Sequence, residues 1–343
     1  KPLRTINAPV IKYLGSKRTL LPLIVETIAS LDSVNSVIDL FSGTSRVGHA
    51  LKKEGYRVLS NDHNTYAATL ARCYVQANDT LAKEATARLE ELSKVPPQAG
   101  YFTQQFCEES RFFQPKNGAR IDGMREAIED WELTPELKAV LLTSLMEAAD
   151  RVDSTTGVQM AYLKKWAKRA HNNLELRLPA LLPQALHGKG EAHQLEAQEA
   201  ARRLSADLVY LDPPYNQHKY VGNYHIWESL VLWDKPEVYG IARKRVDVRE
   251  RKSAFNSRPA FHAKFQELIQ TIDARHLLVS FSNEGFISRE DMLETLSSRG
   301  EVRVIEQDFK RYVGAQIGIH NPQGKKVGEV SHTRNKEYLF VVS

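Results

Sequence analysis

The residues with the clearest chemical potential are Asp212-Pro213-Pro214-Tyr215, which follow the apolar run Ala206–Leu211 without a gap. The run is short and β-rich, so the four residues sit at the carboxyl end of a buried strand. Two consecutive prolines fix φ and donate no N–H, which makes a stiff turn. Acceptors held in a stiff turn are set in place before charge develops on a reacting atom. Their natural target is an amine whose lone pair is delocalised into an aromatic ring. One acceptor on each N–H, the Asp212 carboxylate and the Pro213 carbonyl, draws the nitrogen toward a tetrahedral form and frees the lone pair for attack. Tyr215 adds a flat face on which a base can stack. The same four residues also read as an ordinary strand-ending turn.

Three other stretches have matching chemistry. Asp39-Leu-Phe41-Ser42-Gly43-Thr44-Ser45-Arg-Val-Gly48 is a strand, a glycine turn and a helix start. Gly43 lets a ligand approach the backbone, and the helix N-terminus offers N–H groups to an anion. With only Gly43 and Gly48 it lacks the three glycines of a dinucleotide fingerprint. Asn61-Asp62 ends the next strand, where an acid can accept from both hydroxyls of a ribose. Lys12-Tyr13-Leu14-Gly15-Ser16-Lys17 offers an aromatic ring and a cation that can pair with a carboxylate.

The elements that must position these residues alternate. Helical spacing covers Leu20–Ala29. Strands are expected over 36–41 and Tyr56–Ser60, and helices over Val47–Lys53 and Tyr66–Ala77. This β-α-β-α order predicts a mostly parallel sheet wound with helices. From Leu81 the pattern becomes helical. Ile121, Met124 and Ile128 share one helix face, and Thr134-Pro135-Glu136 is a helix start with Leu137, Leu141 and Leu145 behind it. Strands resume at 206–211, 277–281, 302–305 and 338–342. The division expected is a discontinuous catalytic domain, 1–80 and 190–343, interrupted by a helical insertion, 81–189.

Taken together and in order, these motifs resemble the Dam-type (D12 class) adenine-specific DNA methyltransferases. Residues 11–17, Phe41–Val47, Asp62, Asp212–Tyr215 and the later Ser280-Phe-Ser-Asn-Glu-Gly285 fall in register with that family over nearly the whole chain. The resemblance implies a Rossmann-like α/β fold and S-adenosylmethionine as cofactor. It implies cofactor binding by Tyr13, Lys17, Asp39, Phe41, Ser42, Gly43, Thr44, Ser45, Asp62 and Asp212. It also implies catalysis on a flipped adenine by Asp212, Pro213, Pro214 and Tyr215. Many members carry an Asp shortly before the D-P-P-Y strand as a further cofactor contact; here the nearest acid is Glu196, before Ala197.

The substrate implied is double-stranded DNA, with 81–189 as its target recognition region. Basic residues crowd 243–258, and Tyr220, Arg243, Lys244, Arg245, Arg251 and Lys252 are the expected DNA contacts. Arg111, Lys116, Asn117, Arg120, Lys164, Lys165, Lys168 and Arg169 are further candidates. The loop 216–220 is expected over the target base. A net charge of +5 permits a polyanionic partner without requiring one. Two cysteines, Cys73 and Cys107, make neither a disulfide framework nor a zinc cluster, so no metal site is expected. No apolar stretch is long enough to span a bilayer. A cytoplasmic, nucleoid-associated, bacterial-type setting follows, with a cognate restriction endonuclease as a candidate partner. Three alternatives remain open at this point: RNA adenine, cytosine N4, and DNA binding without catalysis.

Overall fold

Strands that are apolar on alternate residues facing both ways must be covered on both faces, and the central strands here have that character. The computed structural model describes residues 11–15, 17–214, 220–251, 253–283, 285–310, 319–320, 326–328 and 334–343. Strands β1 (Ser36–Asp39), β2 (Arg57–Asn61), β3 (Glu191–His193), β4 (Leu208–Leu211), β7 (His276–Ser282), β8 (Val302–Lys310) and β11 (Arg334–Val342) form one seven-stranded sheet. The order is β3-β2-β1-β4-β7-β11-β8. The first five strands are parallel, and β11 runs antiparallel to both β7 and β8. Two small ribbons stand apart: β5 (Val238–Tyr239) with β6 (Lys244–Arg245), and β9 (Ile319–His320) with β10 (Lys326–Gly328).

Alternation along the strands sorts the core. Val37, Leu208, Tyr210, Leu278 and Leu339 point to the face covered by α1 (Leu21–Ala29) and α2 (Arg46–Lys53). Ile38, Val209, Leu211, Leu277, Val279 and Phe340 point to the other face, against α8 (Ala197–Arg203) and α11 (Arg258–Thr271). Helix α12 (Arg289–Ser297) packs on the same side through Met292 and Leu296.

The helical stretch comprises α4 (Ala82–Ser93), the short α5 (Tyr101–Thr103), α6 (Pro115–Asp130) and α7 (Pro135–Asp150). Ile121, Met124 and Ile128 are fully buried, as their shared face requires. Thr134 caps α7 by accepting from the Leu137 amide at 3.3 Å. This stretch shares one core with α3 (Thr65–Ala71), through Tyr66 and Leu70, and with α10 (His225–Leu232), through Ile226, Trp227 and Leu230. The short α9 (Tyr220–Asn223) leads into α10. Where periodicity predicts one helix over 66–77, α3 gives way at Arg72 to a wider π turn over Arg72–Gln76. Its Val75 packs against Gly48 and Gly190, where a Cβ would clash. The short edge strand β3 is polar and escapes a pattern search.

Candidate active site

The sheet order reverses between β1 and β4, and a ligand cleft is expected beyond the carboxyl ends of strands at such a point. A cleft of about 710 Å³, counting its open mouth, lies there. It is lined by Tyr13, Leu14, Lys17, Asp39, Phe41, Ser42, Gly43, Thr44, Asp62, Asp212, Pro214 and Tyr220, among others. Motifs spread over two hundred residues of sequence are thus brought to one surface.

Local chemistry explains the turn after β1. Gly43 and Ser45 both have positive φ, 49° and 57°. The Tyr13 ring lies across Gly43, so that a Cβ there would meet it at 3.2 Å. The Asp62 carboxylate accepts from the Gly43 amide at 3.0 Å and from the Asn64 amide at 2.9 Å. Both of its oxygens are therefore fixed by backbone. Tyr13 stacks with Tyr224 and Tyr220 at 4.5 and 5.2 Å and meets the Tyr66 hydroxyl at 3.1 Å. The Tyr224 hydroxyl in turn accepts from the Leu14 amide at 2.6 Å.

Electrostatically the cleft is acidic. Asp39 is 1 % exposed, and its Oδ2 has no hydrogen-bond partner among the described residues. Burial, with the Asp212 charge beside it, raises its carboxyl to about 8. Asp212 is raised to about 6, again chiefly by burial, while Lys17 opposes the rise and Glu337 adds to it. Lys17 lies 3.1 Å from Asp212 Oδ1 and 3.5 Å from Glu337 on β11. Arg46 is the other cation on the lining, and burial lowers its affinity for a proton.

Several expected residues are placed elsewhere. Glu196 is not on the lining: Leu195 is bonded to the Asn61 side chain, and Glu196 turns away to cap α8 by accepting from the Gln198 amide at 2.7 Å. Ser45 and Pro213 stand beside the lining rather than on it, Ser45 fully buried. Arg245 does not reach the surface expected of a phosphate contact. It is 4 % exposed and forks onto Asp234 at 2.7 Å and Asp247 at 3.0 Å. Arg251 pairs with the wholly buried Glu228 at 2.8 Å. The buried Glu228 requires a cation, and the buried Arg245 guanidinium requires its two acids, so both arginines are engaged within the fold. Arg243 donates to Gln105, and Lys244 lies 3.8 Å from the Met160 sulfur. In the helical stretch Asn117 is buried and bonded to 172–174, which removes it as a reader of bases; Lys164, Lys165 and Lys168 are exposed. Tyr215, the loop 216–219, Lys252, Ser16 and Glu284 lie outside the described residues.

Glu228 and Glu337 belong to the site although none of the sequence motifs contains them. Glu228 accepts from the Thr65 and Tyr66 amides at 3.1 and 2.9 Å, which ties α10 to the segment after Asp62. Glu337 sits opposite Ser282 in the β7–β11 pairing, and the adjoining Asn283 is bonded to Lys336 on both sides. The S-F-S-N segment could have pointed to it.

Comparison with known proteins agrees with this geometry. The model of the D12 class N6 adenine-specific DNA methyltransferases matches residues 13–294. The chain is 30% identical to the Type II methyltransferase M.NlaIII of Neisseria lactamica, over 95% of this chain and 99% of that one. It is 32% identical to the Type II methyltransferase M.FokI of Planomicrobium okeanokoites, over 88% of this chain but only 49% of that longer protein. The Type II methyltransferase M.CviAII of Paramecium bursaria Chlorella virus 1 is 29% identical, over 97% and 98%. A cleft at the reversal of a parallel sheet, with Asp212 and Pro214 on one wall and the Gly43 turn on the other, thus goes with sequence similarity along most of the chain: this protein belongs to the D12 class N6 adenine-specific DNA methyltransferase family.

Proposed function

We propose that the chain transfers a methyl group from S-adenosylmethionine to N6 of an adenine extruded from double-stranded DNA, and that the cleft between β1 and β4 holds both reactants. The observation that carries this reading is Asp212 facing the same cleft as Asp39, Gly43 and Asp62.

The residues suit a cationic cofactor. Asp39 is a buried carboxylate with an oxygen that has no partner among the described residues and a raised pKa, a site that gains most from a cation, here the α-ammonium of S-adenosylmethionine. Arg46, the first residue of α2, is the candidate for its carboxylate. Asp62, held rigid by Gly43 and Asn64, would accept from the ribose hydroxyls, and Tyr13 would pack beside it. When bound, S-adenosylmethionine supplies an electrophilic methyl carbon. Asp212 accepts one N6–H, and the Pro213 carbonyl accepts the other. Positive charge grows on N6 as the bond to the methyl forms, and an ionised Asp212 stabilises it. Lys17, shared with Glu337, occupies Asp212 Oδ1; we assign it to holding that carboxylate ionised and oriented rather than to the cofactor. The proton on the methylated nitrogen leaves to water, so no further base is needed. Tyr220, at the cleft mouth, is a stacking surface for the base. We assign 81–189 to target recognition and 1–80 with 190–343 to catalysis. A cognate endonuclease as partner and a bacterial cytoplasmic setting are consistent with the restriction-modification relatives.

The test is expression in a host free of adenine methylation, followed by nucleoside analysis and modified-base sequencing of its DNA. N6-methyladenine at one short sequence is expected, with label transferred from S-adenosylmethionine in vitro. Methylcytosine instead, or label appearing in RNA alone, overturns the reading.

A further inference from the structure

We propose that the β5–β6 hairpin is a wedge that enters the DNA base stack beside the target, with Ile241 as the inserted side chain. The proposal rests on the extrusion of adenine set out above.

Ile241 is 80 % exposed at the tip of the hairpin. The loop Gly240–Arg243 is shaped by positive φ at Gly240 and Arg243 and closed by the Arg243 amide donating to the Gly240 carbonyl at 3.1 Å. A lone exposed aliphatic residue is unremarkable. What sets this one apart is its stem, its surroundings and its place.

The stem is rigid. Val238 pairs with Arg245 and Tyr239 with Lys244. The Arg245 fork bolts the ribbon to Asp234, just past the end of α10, and the Arg249 guanidinium lies 3.9 Å from the Tyr239 ring centre. A tip on such a stem cannot fold back to bury its own side chain. The surroundings suit a duplex. Between Val238 and Val246 there is no acid, and of the three basic residues Arg245 is spent on Asp234 and Asp247, which leaves Arg243 and Lys244. Arg243 and Lys244 follow the tip directly; the Arg243 guanidinium is held by Gln105, and Lys244 is placed to meet a phosphate beside an inserted side chain.

The hairpin is joined to the cleft lining through its flanking chain. After β6 the chain runs through the turn Val246–Arg249 to Ser253, which lines the cleft. On the way Val248 packs against Gly222, two residues from the cleft-lining Tyr220. Lys244 touches Met160, itself half-exposed, and the adjoining Gln159 is bonded to Asn223, His225 and Ile226 at the α9–α10 junction. Hairpin, Met160 and Tyr220 are therefore carried by one unit. Through Glu228 that unit also holds the segment after Asp62. An apolar side chain entering the stack there would hold open the gap left by the departing adenine.

Leu186 provides an internal control. It is equally exposed, at 84 %, but faces Gly55 before the amino end of β2, at the other ends of the strands from the cleft. It has no route to a base whose amine lies at Asp212.

The experiment compares Ile241→Ala with the unsubstituted protein on two duplexes containing the methylated sequence. In one the target adenine faces thymine; in the other it faces an abasic site, so that extrusion costs little. A wedge is worth part of the few kcal/mol of unstacking. Ile241→Ala should therefore lose roughly 10- to 100-fold in kcat/KM on the paired duplex and stay within about threefold on the abasic one. Melting temperature and S-adenosylmethionine affinity should not change, and Leu186→Ala should match the unsubstituted protein throughout. Full activity of Ile241→Ala on the paired duplex, or an equal loss on both duplexes, overturns the proposal. Absence of N6-methylation by the unsubstituted protein would instead count against the reaction itself.

Discussion

The cleft and the surface outside it have opposite electrostatics. Asp39, Asp62 and Asp212 line the cleft with Glu337 close by, against Lys17 and Arg46. Outside it, Arg243 and Lys244 lie on the hairpin, and Lys164, Lys165 and Lys168 are exposed in the helical stretch. Under the proposed function, one region concentrates positive charge on a small ligand and the other meets a polyanion. The contrast also separates two kinds of basic residue. Arg245 and Arg251 come from the same run as Lys244 but neutralise buried or half-buried acids within the fold. A count of basic residues in that run overstates the number available to DNA.

The contrast can be broken at several points. Asp62→Ala removes the expected ribose contact and the anchor of the Gly43 turn. S-adenosylmethionine affinity should fall by about 100-fold, the equivalent of two charge-assisted hydrogen bonds; unchanged affinity by calorimetry rejects that role. Arg245→Ala should lower stability by about 2 kcal/mol, below the figure for a fully buried pair because Asp234 and Asp247 remain hydrated. An unaltered melting temperature would free Arg245 for a surface role.

Protonation sharpens the account of the cleft. Asp39 titrates near 8 in the free protein, so below that pH it is neutral and must lose its proton to meet an ammonium. Affinity for S-adenosylmethionine should therefore rise with pH, by up to about tenfold per unit, to a maximum near 8, and fall beyond it as the ligand's own α-ammonium loses its proton. Titrations in buffers of different ionisation heat should show nearly one proton released at pH 7, and none for Asp39→Asn. Release that persists in Asp39→Asn would locate the titration elsewhere. Outside the cleft, Lys244→Ala should reduce the slope of log affinity for DNA against log salt by about one. An unchanged slope would mean that Lys244 meets no phosphate.

Much of the cleft was legible because its residues act through local chemistry. A carboxylate after a buried strand, a glycine before a helix and a Pro-Pro turn each declare a geometry within a few residues. Tyr13, Lys17, Asp39, Gly43, Asp62 and Asp212 accordingly meet on one lining. The strands and helices of the sheet were legible for the same reason, since their apolar periods are local. What the sequence hid depends on distant partners. Lys17 and Glu337 are far apart in the chain and adjacent in space. Glu228 reads as one charge in an apolar helix until its partners Thr65, Tyr66 and Arg251 are seen. The β5–β6 hairpin is four paired residues around a four-residue loop, too short for a period to register.

The central claim is that Asp212 acts on the amine while the rest of the cleft binds the methyl donor. Asp212→Asn separates the two. Titrated with S-adenosylmethionine and assayed for labelled methyl transfer to duplex DNA, this variant should bind the cofactor within a few-fold of the unsubstituted protein and transfer methyl about a thousandfold more slowly. Transfer at the original rate, or a loss of cofactor binding that accounts for the whole loss of transfer, would contradict the claim.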